Sequence, residues 1–219
     1  MPLMQPRPHA RSALRRHRIM EAALACFTAA GTAEARVPDI GRAAGASIGS
    51  IYHQFGSKEG LAAAVYLEGL RRYQQGLVAT LENVTEAQAG ILAVVNYHLT
   101  WAETNERWAR YLLEARRADF MAGYEEDIQA LNRAFGQALG AWLRPHVLAG
   151  RIRTLPLDLY PALLLGPCHE YVRGRLGGRA VTPREQAEAL LGEAAWRALA
   201  GERAAEGGSD DASRAPHGG

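Results

Sequence analysis

The chain contains two cysteines in 219 residues, a single lysine, and no run of eighteen apolar residues. Each shortage removes a class of protein. Cys26 and Cys168 stand far apart among apolar neighbours, neither with a second cysteine at metal or redox spacing, so two buried thiols are expected, against the alternative of a sensor pair. Without a long apolar run no membrane-spanning helix is predicted. The opening MPLMQPRPHARSALRRHR carries charge and proline but no apolar stretch behind it that would make a signal peptide. The expectation is a cytoplasmic protein with no membrane partner. Also missing are a pair of metal ligands at i, i+4, a glycine-rich phosphate loop, and a serine or cysteine beside a matched base. Neither an enzyme nor a metal or cofactor site is therefore expected.

What is present is enough apolar residue for a core, 48% of the chain, and an uneven distribution of charge. The net charge is only +2, yet residues 1–60 hold eight basic groups against four acids, which leaves the remainder at −2. Arginine supplies nearly all of it, and the one lysine is Lys58. A basic N-terminal end points to a polyanion partner, although an arginine-rich solvated face gives the same count.

Apolar residues recur at helical spacing throughout, so the fold class is all-α. Ile19, Ala22, Ala23, Cys26, Phe27 and Ala30 make one stripe that stops at Gly31. A short helix opens near Val37, with Pro38 in its first turn and Gly45 at its end. Ser47 is placed to cap a two-turn helix over 48–55, and Ser57 to cap a long helix from Lys58 to about Glu82. Further helices are predicted over 86–103, 105–120, 124–149, 157–177 and 183–200. Thr85 with Gln88 and Thr182 with Glu185 have capping-box spacing, and Pro161, Gly166 and Pro167 predict a kink or a late start in the penultimate helix.

Three short helices with a glycine turn between the second and third form a helix-turn-helix pattern. Ala43, Ala44 and Gly45 let two helices meet closely, while Phe27, Ile40, Ile51 and Phe55 fill the core beneath. Ile48, Gly49, Ser50, His53 and Gln54 remain for the outer face or leading end of the third helix, where a short polar set suits base edges. His53 has a second reading as a plain solvated histidine. Tyr52 carries a hydroxyl that can reach a phosphate, and Lys58 at a helix N-terminus completes an anion site. Arg11, Arg15, Arg16 and Arg18 either reach phosphates ahead of the first helix or form a solvated run.

The segment IGRAAGASIGSIYHQFGSKEGL, preceded by RHRIMEAALACFTAAG, resembles the DNA-binding domain of the TetR family of transcriptional regulators, with Ile40, Gly45, Ile51, Tyr52, Phe55, Lys58 and Leu61 at the family's positions. The resemblance covers about residues 14–65. It implies a homodimer with two recognition helices in successive major grooves, and a larger helical domain that binds a small organic effector and dimerises through its last two long helices. Carried over residue by residue, it assigns double-stranded DNA to Arg36, Ser47, Ile48, Gly49, Ser50, Tyr52, His53, Gln54 and Lys58. There is one departure: the family usually opens its second helix with Thr or Ser, and Arg36 stands there, so a cap worth about 0.5 to 2 kcal/mol is lost.

The corresponding division is a flexible basic tail over 1–13, a helix-turn-helix domain over 14–60, an effector-binding and dimerisation domain over 61–200 and a disordered tail over 201–219. Tyr97, Trp101, Trp108, Tyr111, Tyr124 and His169 are candidates for an aromatic effector pocket, against the alternative that they are ordinary core residues. Leu159, Leu163, Leu164, Tyr171, Leu176, Leu190, Leu191, Trp196 and Leu199 on the last two helices are candidates for the dimer face. The reading is a ligand-responsive regulator, most simply a repressor released by its effector. Its rival is an architectural or constitutive DNA-binding protein that has no effector.

Overall fold

A computed structural model of the chain describes residues 8–115 and 121–202. Among these residues there are nine helices: α1 (Pro8–Ala30), α2 (Val37–Ala44), α3 (Ile48–Phe55), α4 (Lys58–Ala79), α5 (Ala87–Thr104), α6 (Glu106–Ala115), α7 (Glu125–Leu148), α8 (Leu159–Leu176) and α9 (Arg184–Leu199). The described residues contain no strand, and an isolated bridge between Ile152 and Ala200 is the extent of their β structure.

The expected bounds of α2 and α3 hold. α1 differs, because it begins at Pro8, inside the segment expected to be a flexible tail. Proline is tolerated in a first turn, and the arginines and alanines that follow are good helix formers. The rest of that tail, residues 116–120 at the expected end of α6, and nearly all of the expected C-terminal tail lie outside the described residues. α8 runs unbroken through Pro167, where the sequence predicts a kink or late start. The Thr182 capping box does not form. Pro183 takes the cap position of α9 with no side-chain cap bond, and the Thr182 carbonyl accepts a hydrogen bond from the Tyr171 hydroxyl instead.

The chain divides into two compact units, one of residues up to Arg72 with Asn105–Leu131, the other of Tyr73–Thr104 with residues from Asn132 onward. The division does not coincide with the boundary expected at residue 60, and it falls inside α4 and α7. The reason is packing in the first unit. Tyr111 of α6 stacks on Phe27 of α1 with ring centroids 5.8 Å apart and donates a 2.9 Å hydrogen bond to the Ala62 carbonyl of α4. Trp108 is buried against α4 at Gly69, with the Arg72 guanidinium 4.9 Å above its ring. Burying side chains of this size contributes on the order of 2 kcal/mol each, so α6 belongs with the helix-turn-helix it supports.

In the second unit α5, α8 and α9 pack around Ile91, Val95, Leu99, Leu164 and Leu199, all almost fully buried. Trp142 of α7 donates to the Val84 carbonyl at 2.8 Å. A buried polar cluster lies in the same unit. The Tyr73 hydroxyl is 2.7 Å from His98 Nδ1, and the Tyr97 hydroxyl donates to the Tyr73 carbonyl.

Candidate nucleic-acid interface

The helix-turn-helix is built from a small core and two tight turns. Ile19, Leu24, Phe27, Ile40, Ile51 and Leu61 are almost wholly shielded from water. Gly45 closes α2 at φ +61°, where a residue with a Cβ is strained. A Cβ at Gly41 would stand 2.8 Å from the Ala46 carbonyl oxygen, so only glycine lets the turn approach so closely. Arg18 donates from its guanidinium to the Ala44 carbonyl oxygen at 2.8 Å and so caps the C-terminus of α2. Sequence offers the arginine run only as phosphate ligands or solvated charge. The end of α2 does favour a cation, but nothing local in sequence joins residues 18 and 44.

α3 starts as expected. The Ser50 N–H donates to Ser47 Oγ at 3.1 Å, and Ser57 Oγ accepts from the Gly60 N–H at 2.9 Å to open α4. With Ile51 fully buried, α3 turns its other face outward. Ile48 is 44% exposed and Tyr52 45%, one helical turn apart, and Ser47, Gly49 and His53 are exposed beside them. Ser50 is half-buried. Two large side chains are thus held out to water on an eight-residue helix.

Three expected DNA ligands stand differently. Gln54 is half-buried, its Oε1 is enclosed with no hydrogen-bond partner among the described residues, and the residue lines a cleft within the first unit instead of joining the outer face of α3. The α-helical repeat explains this, since Gln54 follows Ile51 by three residues and so shares its inward side. Lys58 Nζ donates to the Ala33 carbonyl at 2.6 Å and the Ala35 carbonyl at 3.4 Å. Its ammonium ties the α1–α2 loop to α4 and keeps one further N–H. Arg36 is exposed at the cap position of α2 and makes no side-chain cap bond, as the departure from the family pattern implies.

The six candidates for an effector pocket are divided between the two units. Trp108 and Tyr111 are core residues of the first unit, and Tyr124 lines the cleft of that unit. Tyr97, Trp101 and His169 belong to the second unit. There, the Tyr73 ring lies 5.9 Å from Tyr97 and 5.1 Å from Trp101, and the His98 ring 4.7 Å from His169. Burial holds the Tyr73 phenol in its protonated form and pushes His98 down to about 3, with the neighbouring His169 adding to the effect. The phenol and His98 Nδ1 share this hydrogen bond, with the donor set by the imidazole tautomer. The His98 Nε2 is buried without a hydrogen-bond partner among the described residues. Nothing in the sequence singles out Tyr73 as the partner of His98.

Neither cysteine forms a disulfide. Cys168 is buried, which pushes its thiol up to about 11, and Cys26 is half-buried. Among the described residues no cluster of His, Cys, Asp or Glu could hold a metal, and no helix is long and apolar enough to cross a membrane. Of the leucines expected at a dimer face, Leu164 and Leu199 are instead buried in their own unit, whereas Leu159, Leu163 and Leu190 are exposed at 41%, 36% and 57%.

Comparison with known proteins agrees with this geometry. Residues 19–65 match the family described as bacterial regulatory proteins, tetR family. An HTH-type transcriptional regulator of Mycobacterium tuberculosis is 30% identical over 132 residues, covering 59% of this chain and 65% of the relative. The chain thus spans somewhat less than two thirds of the length of the curated relatives it matches. A TetR family transcription regulator from Marinobacter aquaeolei has the same fold, with a TM-score of 0.74 at 21% identity, over 89% of this chain and all of that one. The regulator FadR from Bacillus subtilis, solved in complex with stearoyl-CoA, has a TM-score of 0.71 at 17% identity, over 82% of this chain and 96% of its own. At these identities the solved structures speak to the fold alone, and it is the helix-turn-helix segment, residues 19–65, that matches the tetR family of bacterial regulatory proteins.

Proposed function

We propose that the protein is a cytoplasmic transcriptional repressor that binds a palindromic operator in double-stranded DNA as a homodimer and is released by a small organic effector. The observation that carries the reading is the outward face of α3, where Ile48, Gly49, Tyr52 and His53 are exposed over a helix whose opposite side is anchored by buried Ile51. Ile48, Gly49, Ser50 and His53 meet base edges, and Ser47, Tyr52, Arg36 and the remaining Lys58 N–H meet phosphate. Gln54 is withdrawn from that set. The exposed Leu159, Leu163 and Leu190 support dimerisation through α8 and α9.

The effector site falls in the second unit, around Tyr97, Trp101, His98 and His169, where an apolar aromatic enclosure holds a histidine ring nitrogen with no hydrogen-bond partner among the described residues. That a regulator of the same fold was solved with stearoyl-CoA supports ligand control as a general mode. Chemistry is no part of the proposal. Sequencing the genomic DNA fragments that the purified protein retains tests the reading. A two-fold symmetric motif is expected, with half-sites about 34 Å apart or somewhat more. Retention without any shared motif would favour the architectural alternative.

A further inference from the structure

The N-terminal end of α1 has no part in the reading above. The segment that matches the family begins at residue 19, so the first turns of α1 lie ahead of it. Every residue from Arg11 to Arg18 is exposed, and the chain contains no acid before Glu21. This end of the helix is nevertheless fastened to its own unit. Arg18 donates to the Ala44 carbonyl at the end of α2, the Arg16 guanidinium lies 4.5 Å from the centroid of the Phe55 ring at the end of α3, and the Arg72 guanidinium of α4 stands 3.1 Å from His17 Nδ1. A Cβ at Gly45 would meet the Arg18 guanidinium at 2.8 Å, so that side chain sits directly on the α2–α3 turn. Held by three partners at residues 16–18, the helix carries residues 11–15 beyond them as a continuous extension.

The charges on this extension form a row. Arg11, Arg15 and Arg18 follow one another at the four- and three-residue spacing that places side chains on one face of a helix. Seven residues of helix take the row about 10 Å from the α2–α3 turn. Like charges at this spacing repel one another, and a polyanion lying along the row removes that repulsion. The row also starts at a telling place. Ser47, two residues after Gly45, opens α3, and a helix seated in a major groove has a phosphate strand passing its leading end.

We propose that Arg11 and Arg15 bind the phosphate backbone of double-stranded DNA just outside the stretch that α3 reads. The inference rests on the reading of the protein as a DNA-binding regulator, and it adds a second, sequence-independent hold on the same duplex.

The test uses the full chain and two duplexes. One carries the motif found in the retained genomic fragments, cut to its two half-sites, and the other carries the same motif extended by about 10 base pairs, one helical turn, at each end. Binding is measured across a salt series for the native protein, for the double variant Arg11→Gln with Arg15→Gln, and for Arg11→Lys with Arg15→Lys. On the extended duplex the glutamine variant is expected to lose affinity by about fivefold for each phosphate contact removed at about 0.15 M salt, and its log–log salt slope should become shallower by about one unit per contact. Base preference should not change. The lysine variant should keep the native slope, which a merely structural role would not require, and circular dichroism should show both variants as helical as the native chain. On the trimmed duplex native and glutamine proteins should differ little. The proposal is overturned if the glutamine variant matches the native affinity and slope on the extended duplex, if the lysine variant loses the slope as well, or if the loss is the same on the trimmed duplex. In each of these cases the native protein still binds its motif and the regulator reading stands. A native protein that selects no motif has no flank to hold, which ends the operator reading and the assignment of the row together.

Discussion

Lys58 Nζ lies 2.6 Å from the carbonyl oxygen of Ala33, across twenty-five residues of sequence. The only lysine in the chain therefore fixes the loop that leads into α2 before any DNA arrives. Lys58→Ala is expected to destabilise the folded protein by about 1 kcal/mol, lowering its melting temperature by about 2 to 4 °C without DNA. Scanning calorimetry of the two proteins checks this, and an unchanged melting temperature would mean that the tether carries no weight.

Arg36 leaves α2 without a side-chain cap. Its backbone is already extended, at φ −106° and ψ 130°, which a serine adopts equally well. Arg36→Ser should therefore stabilise the protein by about 0.5 to 1 kcal/mol, read from a urea midpoint. The same change removes a cation from the proposed phosphate ligands, so DNA affinity should fall while stability rises. A decline in both would show that the guanidinium has a structural part.

Burial places His98 at about 3 in the folded protein, against about 6.5 in an unfolded chain. The unfolded state takes up the proton first as pH falls, so stability is full above about pH 6.5 and declines toward pH 3 by about 1.4 kcal/mol per pH unit. Glu68 acts in the same direction. Although burial opposes it, hydrogen bonds from Arg71 and Arg72 hold its carboxyl below the usual range. The His98 share is isolated by the double change Tyr73→Phe and His98→Phe, which should flatten the slope between pH 6.5 and 5 by about one proton.

Leu159 and Leu163 are one turn apart on α8 and exposed, as is Leu190 on α9. Leu163→Glu should convert a dimer to a monomer in light scattering while leaving the helical circular dichroism intact. A native protein that is already monomeric at micromolar concentration would remove both the interface and the operator geometry built on it.

Local chemistry makes much of this architecture legible in sequence. Ser47, Ser57 and Gly45 declare helix ends within a few residues of themselves, and α2 and α3 fall where those signals put them. The outward set on α3 is equally readable, because Ile51 fixes which side is core. Relationships between distant residues are not readable. Trp108 and Tyr111 have the spacing of any amphipathic helix, and nothing in that spacing says that they meet Gly69, Phe27 and Ala62. The same limit conceals Arg18 at the end of α2 and the tether at Lys58. Gln54 departs from expectation for a different reason. On a two-turn helix one residue of phase decides between groove and core, and its amide character suggests the groove.

The central claim is that the outer face of α3 reads base sequence while its flanks hold phosphate. The most direct test measures binding of Ser50→Ala, His53→Ala and Lys58→Ala proteins to the operator and to scrambled DNA across a salt series. The account predicts that Ser50→Ala and His53→Ala each relax preference at particular base pairs, at a cost of about 1 to 3 kcal/mol for each good base-edge interaction removed. Lys58→Ala should weaken binding to both DNAs alike and make the log–log salt dependence shallower by about one unit for each phosphate no longer neutralised. The opposite pattern, with Lys58→Ala altering base preference while Ser50→Ala and His53→Ala merely lower affinity on every sequence, would contradict it.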